Sequence, residues 1–477
     1  MRKYFQDQER FLLAVFISAV FVGGVSPVFG ADVPDSYPQV SASPENFSAN
    51  IPKPEEFPID LPMVLRLAGL NALDVRIAAE RVNEARAQRL SADMQFLPAI
   101  RPAFENRWAY GRVQGTTGAF AQAHNKTSAL EGVEASLDLH IGESLFASLA
   151  ARRRVTASEA GLRAISDSAQ LDAVTAYFSL VLARADQAIV EDRLKQADET
   201  IRLSQELLKG GTGLLSEVKR SEAARAEVEQ RLAAAKEFVR NSSLALTDVL
   251  HIDPLVTLVP LQQPQEVLTL VPPERSLYDL VSDAVAYRPE LAESRALWGA
   301  LGREKTASIF GPLIPTVRAD AAVASFGPHP DQGERAHDYF VGIGWKIGAG
   351  GIGDVSRLRI AESRVRQEAV RFAKIADQVM REVVTNQTHV ESEKIQLELA
   401  KKEIAAAEEA LRLSQERFKG GTALTLEVLS AEDVLFLAKS RAAQDIAEVN
   451  KGEYGLLRSI GGFQGLERSE RTMEIGK

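Results

Sequence analysis

From Asp354 to Lys419 the chain runs 66 residues without a glycine or a proline, and the run from Ser144 to Lys209, 210 positions earlier, contains only Gly161. Glycine and proline are the residues that punctuate helices. Each run therefore predicts one continuous helix of roughly 100 Å, at 1.5 Å per residue. Leu171, Val174, Phe178, Leu182, Ala185 and Ile189 keep the three-and-four spacing of a buried stripe. A helix of that length cannot hide in a globule, so it needs equally long neighbours.

Both runs end in nearly the same words. Arg202 to Val218 reads RLSQELLKGGTGLLSEV, and Arg412 to Val428 reads RLSQERFKGGTALTLEV, with 12 of 17 positions identical and no gap. A repeat this long predicts a duplicated half-molecule with internal two-fold character. Shorter helical stretches flank each hairpin: Val64–Gln95 and Leu277–Ile309 before it, Thr212–Leu250 and Thr422–Ile460 after the glycine turn. The first pair closes on a matching Phe-x-Pro-x-Ile, at Phe96–Ile100 and Phe310–Ile314. Laid end to end, the two short helices of a half nearly equal its long one. Ser144 and Asp354 are N-cap residue types at the start of the long helices.

Between the first short helix and the long one, each half carries two segments of alternating polarity. Val133 to Ile141 is apolar at every odd position, and Tyr339, Val341, Ile343, Trp345 and Ile347 continue the theme. Val317, Ala319, Ala321 and Val323 oppose Arg318 and Asp320, while Phe104, Trp108 and Tyr110 oppose Arg101, Glu105 and Arg107. These read as strands pairing around polar loops, Gln114–Ala129 and Gly327–His337. Ten or so residues per strand is the length and weak signature of outer-membrane barrel strands.

The predicted organisation is a signal peptide over 1–30, an extended segment over 31–60, and a first repeat over 61–252 (hairpin 99–141, long helix 144–209, helix 212–250). A proline-rich connector at 253–276 leads to the second repeat at 277–462 (hairpin 313–348, long helix 354–419, helix 422–460), and 463–477 forms a tail. The signal reading rests on Arg2, Lys3 and Arg10 ahead of the apolar run Phe11–Val22, and on Val28-Phe29-Gly30 before Ala31. No other stretch reads as apolar enough to span a membrane as a helix, so any insertion must be by strands. The net charge of -9 offers no basic footprint for nucleic acid. With no cysteine there is no disulfide, thiol nucleophile, thiolate metal site or lipidated N-terminal cysteine. Strand edges cannot stay unpaired in lipid, where each unsatisfied backbone group costs several kcal/mol. Four strands cannot close a barrel with an interior, so the barrel must be shared between copies; physics alone permits two, three or more.

Strand hairpin, long helix, glycine turn and second helix, duplicated behind a signal peptide, resemble the TolC-like outer-membrane efflux protein family over nearly the whole mature chain. The most specific piece is Arg417-Phe418-x-x-Gly421 with Glu427-Val428-Leu429-x-Ala431, and Val174-Thr175-Ala176-Tyr177 is similar to a family signature on the first long helix. The resemblance implies a mainly helical fold with β structure: a homotrimer sharing a 12-stranded outer-membrane barrel above a periplasmic tunnel of antiparallel coiled-coil helices. It implies a passive, gated exit duct of a tripartite efflux or type I secretion system. Its partners would be a periplasmic adaptor (membrane fusion protein), an inner-membrane transporter and outer-membrane lipid, with no cofactor and no enzymatic activity. The competing reading is a periplasmic coiled-coil adaptor, which typically has one such hairpin and globular β-modules rather than two hairpins and two strand pairs.

The resemblance places both turns, Lys209-Gly210-Gly211-Thr212 and Lys419-Gly420-Gly421-Thr422, at the periplasmic tip where an adaptor docks. Locally they read as a helix stop and restart: lysine favours the C-terminus, glycine takes the left-handed cap, and threonine caps the next helix. Glu217, Glu427 and Phe418 are the aperture candidates. An acid early in a helix also simply complements the helix N-terminus. The resemblance implies that Glu427, repeated three times about the axis, contributes to a cation-binding constriction. Ser430 stands where a second acid often follows, and Ala423 where a latch arginine can occur, which predicts weaker cation selectivity and a latch built differently. Gly348-Ala-Gly350-Gly351-Ile-Gly353 matches a dinucleotide fingerprint, but no second strand with a ribose-binding acid follows, so it reads as a bend from strand to helix. The six histidines show no metal-binding spacing, and His329 and His337 beside Asp331 read as a solvated loop. The aromatic face of Phe104, Trp108 and Tyr110 reads as facing lipid.

Overall fold

The computed structural model describes residues 56–114, 117–263, 265–329, 332–346 and 352–463, all within the unit Pro54–Lys477. The expected signal segment, most of the lead-in 31–60, nearly all of the tail, and Gly348, Gly350 and Gly351 lie outside the described residues. The first half comprises β1 (Glu56–Ile59), α1 (Leu61–Asn71), α2 (Leu73–Met94), β2 (Ala99–Gln114), β3 (Phe120–Leu139), α3 (Ile141–Lys209) and α4 (Leu215–Leu250). After β4 (Thr257–Pro260) come α5 (Leu277–Tyr287), α6 (Pro289–Phe310), β5 (Thr316–Gly327), β6 (Glu334–Gly344), α7 (Ile352–Lys419) and α8 (Thr425–Ser459).

The two glycine-poor runs form the 69-residue α3 and the 68-residue α7. They begin earlier than the N-cap residue types suggest. Ser144 lies inside the first turn of α3, its N–H already bonded to the His140 carbonyl at 2.9 Å. Asp354 lies inside the first turn of α7 and pairs with Arg357. The predicted single helices before each hairpin are each two. Pro289 drives Arg288 into extended geometry (φ -61°, ψ 125°) and opens α6 at its first position. In the first half Ala72 makes the same break (φ -56°, ψ 122°) without a proline. Asp60 caps α1 by accepting the Met63 N–H at 2.9 Å, and Ser276 caps α5 through the Asp279 N–H at 3.2 Å.

In the upper half of the helical layer α2, α3, α6 and α7 lie side by side, and in the lower half α4, α3, α8 and α7 do. The short helices thus stack along the long ones, α2 above α4 and α6 above α8. Where the stacks meet, Val174, Tyr177 and Phe178 are fully buried with Leu246, Leu258, Leu280 and Leu291. The Tyr177 and Phe178 rings meet edge to face at 5.6 Å, and Tyr454 lies 6.2 Å from Phe178. Val174 and Tyr177 of the signature are therefore core, while Thr175 between them is exposed. By length and composition α3 also qualifies as a candidate membrane span, contrary to the sequence reading; half of its most apolar window is buried by neighbours.

The strands form one antiparallel sheet in the order β2-β3-β5-β6. Much of both expected loops is strand: β3 starts at Phe120 and β6 at Glu334, so the strands of the first hairpin reach 16 and 20 residues. Strand register puts Phe104, Trp108, Val133, Leu137, Val317, Val323, Tyr339, Val341 and Ile343 on one face. Arg101, Glu105, Arg107, Glu134, Asp138, Arg318, Asp320 and Asp338 share the other. Arg101 pairs with Glu134, and Arg318 Nε lies 2.8 Å from Asp320. A register shift between Ala109 and Gly111 kinks β2 near its tip.

The connector is not wholly irregular. Its β4 pairs in parallel with β1, bringing Ile59 opposite Pro260. Beyond β4 it is strapped to α8: Asn450 Oδ1 accepts the Leu268 N–H at 2.8 Å, and Glu453 accepts those of Leu270 and Val271 at 2.9 and 3.1 Å. Lys394 of α7 completes the strap, its Nζ 2.6 Å from Glu453.

Candidate functional site

The two tip turns have the same backbone for the same reason. Gly211 and Gly421 take φ of +79° and +71°, a left-handed conformation that side chains with a Cβ disfavour. The Gly211 N–H bonds back to Leu208 and the Thr212 N–H to Leu207, both at 3.1 Å. Gly421 and Thr422 repeat this onto Phe418 and Arg417, both at 2.9 Å. These paired bonds satisfy the last carbonyls of α3 and α7 in the manner of a Schellman motif. The threonines differ from the sequence expectation: they serve the helix behind them. Thr212 Oγ1 donates to the Leu207 carbonyl at 3.3 Å and Thr422 Oγ1 to that of Arg417 at 3.0 Å. The following helices start three residues later, with Leu214 and Leu424 at the cap positions and no side-chain cap.

Lys209, Gly210, Gly211, Thr212, Lys419, Gly420, Gly421 and Thr422 are all exposed, as are Leu214, Leu215, Leu424 and Leu426 just beyond. The tip therefore presents a polar, glycine-rich edge with four bare leucines. Exposed charge triads stand above both turns. Arg202 lies between Glu199 and Glu206, and Arg412 between Glu409 and Glu416, each at i,i+3 and i,i+4 spacing.

The three aperture candidates divide. Glu427 is exposed, and its Oε2 lies 3.0 Å from Arg417 Nη1 across the turn. Glu217 is half-buried; its Oε1 meets Arg220 at 3.3 Å, while its Oε2 has no hydrogen-bond partner. The asymmetry has a sequence cause, because Leu207 occupies the position equivalent to Arg417. Phe418 is only 3% exposed and sits in a small core with Leu411, Val428 and Leu435. Leu203, Leu207 and Ala423 pack against that core. In the single chain Phe418 therefore holds the two hairpins together rather than lining an opening, and Ala423, at the latch-arginine position, packs beside it.

One buried group was missed by the sequence reading. Arg193 of α3 is 4% exposed and Glu432 of α8 is 0% exposed, and the two form an ion pair. Thr200 Oγ1 donates to the second Glu432 oxygen at 2.7 Å, and Arg193 Nη2 reaches Asp433 at 3.3 Å. Burial pushes the Glu432 carboxyl up, against the pull of Arg193 and Thr200. The signal was present: Val190, Arg193, Ala197, Thr200 and Ser204 continue the buried stripe at three-and-four spacing, and an arginine on such a stripe requires an acid opposite. Higher up, Arg288 is buried where α6 begins, with Nε and Nη2 each 2.9 Å from a Glu290 oxygen and Nη2 2.8 Å from Glu382. It borders a cleft of about 320 Å³ in which Glu290, Glu368, Arg371 and Arg458 are engaged with neighbouring side chains, while burial, with Glu290 and Glu368 nearby, pushes the Glu293 carboxyl up. Among the described residues no group of His, Asp and Glu is arranged to hold a metal ion.

Residues 280–462 match the family described as outer membrane efflux protein. The pyoverdine export outer membrane protein OpmQ of Pseudomonas aeruginosa is 23% identical over 427 residues, covering 86% of this chain and 88% of that protein. The outer membrane efflux protein BepC of Brucella suis biovar 1 is 24% identical over 357 residues, covering 72% of this chain and 76% of its own. The MtrE outer membrane channel of Neisseria gonorrhoeae superposes with a TM-score of 0.71 at 19% identity, over 84% of this chain and 89% of that one. These relatives and neighbours are outer-membrane export and channel proteins.

Proposed function

We propose that this TolC-like outer-membrane efflux channel works as a closed homotrimer, with a 12-stranded barrel in the outer membrane and a helical duct reaching into the periplasm. The observation that carries the proposal is the sheet. Its apolar face is bare, with Trp108 70% and Val341 77% exposed, while the opposite face carries paired charges. Among the described residues, strands β2 and β6 each have a free edge. Lipid tolerates neither unsatisfied edges nor an open sheet, so β6 of one copy must pair with β2 of the next until the ring closes. Three copies give twelve strands with the apolar face to lipid and the charged face to a water-filled lumen. The helices support the same closure, since Val370, Ile395 and Leu399 of α7 and Ile77 and Leu90 of α2 lie exposed on the two outer flanks of the layer.

The exposed tip, with its glycine turns and leucines, is the docking surface for a periplasmic adaptor, through which an inner-membrane pump delivers substrate. The export step is then passive: the chain supplies a conduit and a gate, while the pump supplies the driving force. The test begins with outer membranes. Detergent extraction should yield a heat-modifiable oligomer three chains in mass that conducts in planar bilayers. A water-soluble monomer without conductance would overturn the proposal and leave the coiled-coil adaptor reading in its place.

A further inference from the structure

At the periplasmic end the two repeats differ by a constant offset. Adding 210 carries Glu199, Arg202 and Glu206 of α3 onto Glu409, Arg412 and Glu416 of α7, and Gly211 onto Gly421. It likewise carries Glu217 and Val218 of α4 onto Glu427 and Val428 of α8. Within the chain, the seam between the two hairpins is the packing of α3 on α8. Arg193 and Glu432 fasten it from inside, and on its rim Lys439 Nζ lies 3.7 Å from Asp192.

In a closed ring of identical copies, which is the reading proposed above, the duplicated halves alternate around the axis. Each internal seam is then followed by an equivalent one in which α7 of one copy packs on α4 of the next. The offset states what faces what there. Arg193 is replaced by Glu403 and Glu432 by Glu222, while Thr200 becomes Ala410 and Asp433 becomes Ala223. The rim pair of Lys439 with Asp192 becomes Glu229 with Lys402, so opposite charges are kept with their ends exchanged. The rim therefore still sets the register, but the inside of the seam has lost its cation and its hydroxyl donor.

We infer that the ring has two unequal kinds of seam, and that the tip opens along the seams between copies, where Glu403 faces Glu222 of the next copy, while each chain moves as a locked pair of hairpins. Separating Arg193 from Glu432 would strand a charge in a buried site, which is strongly unfavourable. Two carboxylates brought together at a subunit seam repel, and parting lets water reach both. Each acid already has a cation on its own hairpin: Arg441 Nη1 lies 2.9 Å from Glu403, and Lys219 Nζ lies 2.8 Å from Glu222. Neither charge needs the neighbouring copy.

The absence of cysteine makes the test clean. A chain carrying E403C and E222C, treated in outer membranes with a short bismaleimide, should give covalent dimers and trimers and lose conductance. A chain carrying R193C and E432C should cross-link without gain in mass and still conduct. Independently, E403R restores the arginine found at the internal seam and should lower open probability several-fold. Adding E222R returns like charges to the seam and should restore opening. Trimers that give no 403–222 cross-link, or an E403R channel that opens as the parent does, would overturn the unequal seams while leaving the trimer standing. A parent chain that extracts as a monomer would overturn both.

Discussion

Glu427 and Arg417 face each other across the second tip turn, carboxylate oxygen 3.0 Å from guanidinium nitrogen, whereas the first turn has Leu207 at the position of Arg417 and its Glu217 meets Arg220 instead. An exposed pair of this kind holds at most about 1 kcal/mol, and salt screens it. Its interest is electrical, because Arg417 offsets the charge that Glu427 would offer to a cation. We expect Arg417→Ala to raise cation preference and sensitivity to divalent block in single-channel recordings, and Glu427→Gln to lower both. Identical selectivity in all three proteins would remove Glu427 from the conduction path.

The tip glycines separate backbone need from crowding. A Cβ added at Gly211 or Gly421 meets nothing within 4 Å, so the cost of a side chain there is conformational. A left-handed residue other than glycine costs roughly 1–2 kcal/mol. Gly211→Val and Gly421→Val should leave trimers assembled, shift thermal unfolding only slightly, and abolish export in an assay with the adaptor present. Normal export by the double variant would show that the turns do not dock the adaptor.

The connector strap hangs on one carboxylate. Glu453→Ala orphans the N–H groups of Leu270 and Val271 together with Lys394. Each orphaned buried group costs roughly 1–3 kcal/mol. The expected result is a lowered Tm and early proteolysis within 261–276, with Glu453→Gln, which retains an acceptor, falling between. Cleavage elsewhere first would mean that the strap is not the weak point.

Asp186 on α3 supplies a pH prediction. Burial pushes its carboxyl from an ordinary value near 3.8 up to about 6. Between those values the folded chain holds a proton that the unfolded chain releases, so stability from this group is present at low pH and lost as pH rises through about 6. Asp186→Asn should therefore stabilise the fold at pH 7.5, by an amount on the order of 1–3 kcal/mol, and raise Tm there, while changing it little at pH 4. Equal shifts at both pH values would contradict the burial argument.

The long helices were legible because nothing in 354–419 can break one, and the strands because polarity that alternates every second residue lines no face of a helix. The features misread were those set by distant partners. Ser144 looks like a cap, but strand β3 runs straight into α3 and the helix starts before it. Pro289 announced its break to local chemistry, whereas Ala72 breaks its helix with no such residue. The strap could not be foreseen, since Asn450 and Glu453 bond to backbone some 180 residues away. At the tip, composition placed the turns, but whether Phe418 faces a pore or a core depends on where Leu203 and Leu207 stand.

The parallel pairing of β1 with β4 joins residues 56–59 to 257–260. As the polypeptide emerges into the periplasm, the strand at 56–59 must wait for some two hundred further residues before it finds its mate. Closing so large a loop is entropically slow. Biogenesis thus has a built-in order: the first half remains open at its waist until the linker arrives, which leaves a waiting strand in need of a chaperone's protection.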